Sequence, residues 1–178
     1  MPNFLNLLRL YRLMRMDPKR GYISVGGNRI MISPSAMIPE LLEGMESVMG
    51  KGGSASALYI ASKNQSKPLF EMVNKIFGEG IMDTEEGFRK VLDNFIPYLG
   101  YGRFELVKYD LEGGEFILRM RNGPTKTEAK KISEEPCCHT ERGVITGIVE
   151  SVLKRPCSGK EVFCQVKGDE YCEFVVTG

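Results

Sequence analysis

The stretch Cys164–Phe174, CQVKGDEYCEF, places two cysteines eight positions apart around a Lys-Gly-Asp sequence. If residues 167–169 form a three-residue hairpin turn, Cys164 lies directly opposite Cys172 on the neighbouring strand, with the two β-carbons about 5 Å apart. Both sulfur atoms then face the same side of the hairpin. Such a pair can form a disulfide, act as a catalytic dithiol, bind a metal or remain two buried thiols. The stretch alone does not decide among these alternatives.

The composition is that of an ordinary globular protein. Of the 178 residues, 42% are hydrophobic and 26% are charged, and a chain of this length can bury a core without disulfides. Lysine and arginine number 24 against 23 aspartate and glutamate residues, so the net charge gives no reason to expect direct binding of nucleic acid. A local basic patch stays open.

The sequence also bears on the compartment. No apolar run reaches the length of a membrane span, and the N-terminus lacks the pattern of a secretion signal, so we expect a soluble cytoplasmic protein. The cysteine count is five, an odd number, and a reducing compartment keeps thiols free. A cysteine cluster here therefore favours a metal or redox site over a disulfide framework.

The N-terminal residues 4–16, FLNLLRLYRLMRM, repeat apolar and arginine residues every three positions. This pattern predicts a helix that packs on the domain or on a partner subunit, and residues 1–20 are accordingly expected to be a dimerisation segment before a domain at 21–178. The basic face allows membrane-surface contact as a less favoured alternative.

The middle of the chain predicts a hairpin and then helices. Residues 21–33 alternate around Gly26-Gly27-Asn28, as in a tight hairpin. A helix capped by Ser35 should follow as far as Met49, and the GKGG sequence at 50–53 should interrupt it. A second helical pattern covers 54–77, with an interruption expected at Pro68. A third helix should begin at an Asp83 cap, with Glu86 as its capping-box partner.

The second half of the chain predicts strands, one helix and a last hairpin. RFELVKY and EFILRMR read as two strands joined by Glu112-Gly113-Gly114, a helix is expected from about residue 140 to 153, and the chain should end in the hairpin that contains Cys164 and Cys172. Helices thus come mostly first and antiparallel strands mostly last, which indicates one α/β (α+β) domain.

Further metal-binding residue types flank the predicted helix at 140–153. Cys137, Cys138 and His139 precede it, where free backbone N–H groups stabilise a thiolate, and Cys157 and Glu161 follow it. Glu161 and Cys164 are three positions apart, which places them on opposite faces of a regular strand. They can share a site only if a bulge intervenes or if Glu161 precedes the regular strand.

The spacing Cys-x22-Glu-x2-Cys-x7-Cys is met by Cys138, Glu161, Cys164 and Cys172, and Gly143 and Gly147 lie within the predicted helix. Together with the closing KGDEYC, this pattern resembles the 4-vinyl reductase-like domain family. That family includes stand-alone archaeal and bacterial proteins and the aromatic-sensing domains of bacterial transcription activators. Its fold is shared with subunits of the vesicle-tethering TRAPP complex and with haem-based nitric oxide sensors.

The resemblance implies an antiparallel sheet flanked by helices, with Cys138, Glu161, Cys164 and Cys172 as ligands of a structural Zn²⁺ beside an enclosed apolar pocket. A closed four-ligand shell leaves no open position for activating water, which agrees with a structural role. Arg142, Lys160 and Lys167 are candidates to offset the excess negative charge. The alternative for the four residues is that they bind no metal.

Neighbouring residues have simpler interpretations. Cys137 is a passive neighbour, a redox thiol or an alternative ligand, and His139 is a helix cap or a group that supports the ligands. Cys157 reads as a small hydrophobic residue. Gly143 and Gly147 leave a bare stripe on their helix, which indicates close packing on the sheet or else room for a ligand.

Nucleotide-binding and hydrolase motifs are lacking from the sequence, so an enzymatic role is not favoured. The leading hypothesis is a zinc-containing domain that binds a small hydrophobic ligand (a hydrocarbon, lipid or aromatic compound) as a sensor or carrier, acting as a homodimer and through a separate regulatory protein. Phenol-sensing relatives hold the ligand hydroxyl with histidine and tryptophan, but this chain has no tryptophan. The alternatives are a vinyl-group reductase or accessory in tetrapyrrole metabolism, and a thiol redox-sensing interaction module.

Overall fold

Two antiparallel sheets and several helices make up the computed structural model, which describes residues 11–127 and 133–178. The α+β class predicted from the sequence is confirmed. In chain order the elements are β1 (Met14–Asp17), β2 (Tyr22–Val25), β3 (Asn28–Ile30), α1 (Met37–Phe77), α2 (Glu85–Asn94), β4 (Arg103–Asp110), β5 (Glu115–Arg121), α3 (Pro124–Thr127), α4 (His139–Leu153), β6 (Ser158–Phe163) and β7 (Cys172–Thr177), with 3-10 helices at Ile81–Asp83, Ile96–Leu99 and Gln165–Lys167.

The first sheet has the order β1-β2-β3. Its β2–β3 hairpin is the predicted one, and Gly26 and Gly27 at the turn have φ of 57° and 84°, values that residues with a β-carbon adopt only with strain. The helix predicted over residues 4–16 is wrong at its C-terminal end, because only residues 11–13 are helical and Met14 begins β1. Met14 pairs with Val25, so hydrogen bonding to the hairpin outweighs the helical periodicity. Residues 4–10 lie outside the described residues.

Helix α1 is bent where the sequence predicts a break. Gly50 has φ 73° and ψ 169°, which lie outside the helical region, and the helix continues on both sides of it. Its N-cap residue is Ala36, so the prediction of a Ser35 cap is wrong. The interruption expected at Pro68 is also absent: α1 runs on to Phe77 and is held there by the burial of Met72 and Val73.

Helix α2 buries Phe88, Val91 and Leu92, as its periodicity predicts. Its N-cap is Thr84, whose side chain accepts a hydrogen bond of 3.2 Å from the Gly87 N–H. The predicted Asp83 cap is therefore wrong by one residue, because Asp83 closes the preceding 3-10 turn.

The second sheet has the order β4-β5-β7-β6, and every neighbouring pair in it is antiparallel. The side chains that alternate onto its inner face are buried: Phe116, Leu118, Met120, Phe174 and Val176. This face and the helices enclose the hydrophobic core.

Helices α1 and α4 pack closely because α4 carries glycines at the contact. A β-carbon on Gly143 would lie 2.5 Å from the carbonyl oxygen of Tyr59, and one on Gly147 would overlap the side chain of Ser66. The close approach expected at these glycines thus exists, but it is made to α1 and not to the sheet, and it leaves no room there for a ligand. An ion pair of 2.6 Å between Lys63 and Glu150 lies at the same helix pair.

Among the described residues, no helix combines the length and the apolar character that crossing a membrane requires.

Candidate metal centre and ligand cavity

The structure brings together the four residues singled out by their spacing. Cys138 is the N-cap residue of α4, Glu161 lies in β6, Cys164 follows the end of β6 and Cys172 begins β7. All four are buried, and one ligand atom from each lies within 4.8 Å of the others. This set is called the Cys3Glu cluster below.

A β-bulge lets Glu161 join the cluster. In the β6–β7 ladder Glu161 is opposite Phe174, whereas Phe163, two positions later, is opposite Glu173, so the register shifts by one residue. This irregularity meets the condition stated from the sequence, because it turns a spacing of three into positions that share a face.

The turn after Cys164 differs from the predicted three-residue hairpin turn. Residues Gln165–Lys167 form a 3-10 turn, and Gly168 follows it with φ 108°. The Cys164 N–H donates to Asp169 Oδ2 at 2.7 Å, and the Gln165 N–H donates to Cys172 Sγ at 3.2 Å. The turn therefore supports both hairpin cysteines, and the second bond is of a kind that stabilises a thiolate.

The sulfur separations distinguish a metal site from a disulfide. Cys138 Sγ lies 3.8 Å from Cys164 Sγ and 3.6 Å from Cys172 Sγ. Disulfide sulfurs lie about 2.05 Å apart, and the structure leaves all five cysteines free. Four ligands in a tetrahedron around zinc, with Zn–S bonds of about 2.3 Å, place their sulfurs about 3.8 Å apart. The residues therefore fit a tetrahedral metal ion of that size.

Glu161 carries a buried oxygen that needs a partner. Its Oε2 accepts a hydrogen bond of 2.9 Å from the Cys138 N–H, while Oε1 is buried and has no hydrogen-bond partner within residues 11–127 and 133–178. Burial, together with the negative charge of Cys164, raises the pKa of this carboxyl to about 8. A cation in the cluster would complete its coordination and favour the ionised form.

The thiols of the cluster differ in acidity when no metal is considered. Hydrogen bonds with Cys137 and Cys138 lower the pKa of the Cys164 thiol, whereas hydrogen bonds with Cys137 and Cys164 raise the pKa of the Cys138 thiol. One thiolate therefore forms at the expense of its neighbours. A divalent cation would allow all four groups to ionise together, which is the arrangement that metal ligation requires.

The remaining candidates from the sequence lie around the cluster. Cys137 is half-buried beside it, and His139 is the first residue of α4, with a pKa lowered by burial and by Arg142. Arg142 itself stacks over the ring of Tyr59 at 4.5 Å. Cys157 is buried elsewhere, where its thiol donates to the Arg155 carbonyl at 3.3 Å, in keeping with its interpretation as a small hydrophobic residue.

A cavity lies among α1, α2, α4 and the inner face of the second sheet. The volume open to the centre of a water-sized sphere is about 40 Å³, several times what one water molecule requires. Apolar side chains form most of its wall, and the two that carry polar groups are Tyr101 and Glu141. The lining residues are Leu69, Phe70, Val73, Met82, Phe88, Val91, Leu92, Ile96, Tyr101, Phe104, Leu118, Glu141, Val144, Ile145 and Ile148.

Glu141 is the residue of this cavity that the sequence analysis missed. It is 1% exposed, and its Oε1 accepts a hydrogen bond of 3.1 Å from the Thr125 N–H. A signal was available, because Glu141 shares helical spacing with Ile145, Val149 and Val152, all of which are buried. A carboxylate on the buried stripe of a helix is unusual and points to a special role.

Comparison with known families supports the resemblance. The family model of the vinyl-4-reductase domain matches residues 123–177, the segment that contains the Cys3Glu cluster. The predicted resemblance to the 4-vinyl reductase-like family is thereby confirmed for this segment.

Two uncharacterized proteins of Methanocaldococcus jannaschii are similar in sequence. One is 51% identical over 105 residues, which are 58% of this chain and 60% of that protein. The other is 42% identical over 43 residues, which are 24% of each chain. The matched segments thus span less than two thirds of both relatives.

Three solved structures share the fold at low sequence identity. The phenol-responsive sensory domain of the transcription activator PoxR, with phenol, has a TM-score of 0.79 at 14% identity and covers 98% of this chain and 89% of its own. Trafficking protein particle complex subunit 3 of Naegleria fowleri, covalently bound to palmitic acid, has a TM-score of 0.59 at 13% identity over 80% and 93%. A vinyl-4-reductase family protein of M. jannaschii has a TM-score of 0.53 at 18% identity over 98% and 93%.

Proposed function

We propose that this chain is a small-molecule sensor or carrier domain, which binds a hydrophobic ligand in its cavity and is held together by a structural Zn²⁺ in the Cys3Glu cluster. The observation that carries the ligand-binding proposal is the apolar cavity enclosed by α1, α2, α4 and the sheet. Enclosed apolar sites with few polar groups are typical of small-molecule binding.

The zinc proposal rests on the geometry and chemistry of the cluster. The sulfur separations of 3.6 and 3.8 Å match the edges of a tetrahedral zinc site, and the buried Glu161 Oε1 is left without a hydrogen-bond partner among the described residues. Cys138, Glu161, Cys164 and Cys172 would occupy all four positions. The ion would then join the start of α4 to the β6–β7 hairpin and would leave no position for substrate.

The relatives support a ligand in this fold. Two of the three structures described above contain small molecules, phenol in the PoxR domain and palmitic acid in the trafficking subunit. One is a compact aromatic compound and the other a long acyl chain. Our assignment to this chain is a hydrophobic ligand, and a cavity of about 40 Å³ favours a compact one.

We further propose that the chain acts as a homodimer in the cytoplasm and passes its signal to a separate regulatory protein. Large apolar side chains near the first sheet and along α1 are exposed, among them Met31 (74%), Ile32 (73%) and Val48 (83%). Burying them against a second copy would remove apolar surface from water. Free thiols agree with a reducing compartment.

Native mass spectrometry of the purified full chain tests these proposals together. We expect one zinc ion per chain, the mass of a dimer, and a small-molecule adduct that dissociates on collisional activation. A fully folded protein that carries neither metal nor adduct, and that takes up neither on addition of zinc or toluene, would contradict the proposed function.

A further inference from the structure

The cavity contains a buried carboxyl group with a free oxygen. Glu141 lines the cavity, is 1% exposed, and uses Oε1 to accept the hydrogen bond from the Thr125 N–H. Its Oε2 is buried and has no hydrogen-bond partner anywhere in the parts of the chain that the structure describes. A buried polar oxygen without a partner is costly, and such groups are rare in proteins unless a water, ion or ligand satisfies them.

A second polar group lies nearby. Tyr101 also lines the cavity, and the pKa of its phenol is raised by burial and then by the charge of Glu141, which places the two groups within electrostatic range of each other. The other thirteen lining side chains are apolar. The polar groups of the cavity therefore form one small patch, and the rest of the wall cannot make hydrogen bonds.

No cation among the described residues is paired with Glu141, and the salt bridges of those residues lie elsewhere. Burial also raises the pKa of this carboxyl. A ligand hydroxyl can donate to the ionised group and can both donate to and accept from the neutral group. A hydrocarbon satisfies neither form, and a ligand carboxylate would be repelled by the ionised one.

We propose that the cavity selects compact hydrophobic molecules that carry a hydroxyl group, with Oε2 of Glu141 as its hydrogen-bond partner and Tyr101 as a second contact. This inference rests on the proposed ligand-binding function and narrows it from hydrophobic compounds in general to small alcohols and phenols. It also replaces the expectation, based on the lack of tryptophan, that the ligand has no hydroxyl to be recognised.

The test uses two pairs of compounds in which a hydroxyl replaces a methyl group of similar size: phenol with toluene, and cyclohexanol with methylcyclohexane. Isothermal titration of the full chain should show about tenfold or tighter binding of the hydroxyl member of each pair, because only that member satisfies the buried oxygen. In Glu141→Met the preference should fall to near unity, mainly through weaker binding of the hydroxyl compounds.

Ile148→Val is the matched control, since it changes the cavity wall without touching a polar group. It should alter the affinities of both members of a pair alike and retain the preference. Tyr101→Phe should reduce the preference only in part.

The wild-type chain supplies a readout that does not depend on the folding of a variant. Phenol should shift an infrared carboxyl band that is missing from Glu141→Gln, and toluene should leave this band unchanged. Equal affinities within both pairs, or a carboxyl band unmoved by bound phenol, would overturn the hydroxyl inference and leave the binding cavity intact. Binding of none of the four compounds would overturn the proposed function as well.

Discussion

The Cys3Glu cluster and the cavity are both built on α4, but they use it in different ways. The cluster takes Cys138, the cap residue, and collects its other three residues from one hairpin within 4.8 Å. The cavity uses Glu141, Val144 and Ile148 along the helix, together with side chains from α1, α2 and the sheet. Coordination needs every ligand at its bond length, whereas apolar packing is non-directional and shared among many residues. The cluster should therefore respond sharply to a single substitution and the cavity gradually.

The largest effect is expected at the cluster. Cys164→Ser removes one of its three sulfur ligands, so the protein should lose zinc and at least about 3 kcal/mol of unfolding free energy, because metal binding and folding are coupled. Urea unfolding together with elemental analysis measures both quantities.

Cys157→Ser is the matched control, a buried cysteine outside the cluster. It should keep the zinc and lose about 1 kcal/mol. If Cys164→Ser behaved like this control, the distinction between the cluster and the rest of the core would fail.

The next effect concerns the contact that holds α4 in place for both sites. A β-carbon in Gly147→Ala would overlap the side chain of Ser66 and the carbonyl of Lys63. The variant should lose about 2 kcal/mol although alanine is the better helix former. Thermal unfolding compared with Gly44→Ala gives the sign, because Gly44 in α1 has nothing within 4 Å and should gain up to about 1 kcal/mol. A stabilised Gly147→Ala would contradict the close packing.

The cavity should respond without the cluster. Ile148→Phe adds volume to the cavity wall and should weaken toluene binding about tenfold, while the zinc content stays at one per chain and stability changes by no more than about 2 kcal/mol. Titration calorimetry and elemental analysis on the same samples separate the two sites. Loss of zinc in this variant would mean that cluster and cavity form one unit.

The smallest effect tests the corrected start of α2, which lines the cavity. Thr84→Ala removes the side-chain acceptor of the Gly87 N–H and should cost about 1 kcal/mol in urea unfolding. Asp83→Ala, one position earlier, should cost less than half as much. The reverse order would restore the cap predicted from the sequence.

The two regions were not equally predictable. Cys138, Glu161, Cys164 and Cys172 could be grouped because ligand residue types recur at fixed spacing along one short segment, so a local pattern carries the information. The bulge after Glu161 could be stated only as a condition, since the backbone pairing of β6 with β7 decides it. Nothing local marks Glu141 as a cavity residue, because its neighbours in space come from distant parts of the chain.

Long-range contacts also explain the errors in the fold. Met14–Met16 continue a helical pattern but pair with β2, a contact that periodicity cannot show. Gly143 and Gly147 did indicate a close approach, yet their spacing does not say whether a helix or a sheet approaches them. The turn glycines of the β2–β3 hairpin were predictable because positive φ is a local requirement.

X-ray absorption at the zinc edge of the purified chain tests the central claim most directly. The account predicts one zinc per chain with three sulfur ligands at about 2.3 Å and one oxygen ligand at about 2.0–2.2 Å. A shell of four sulfurs would put Cys137 in the place of Glu161. A fully stable protein without zinc would contradict the claim that the Cys3Glu cluster holds the structural metal.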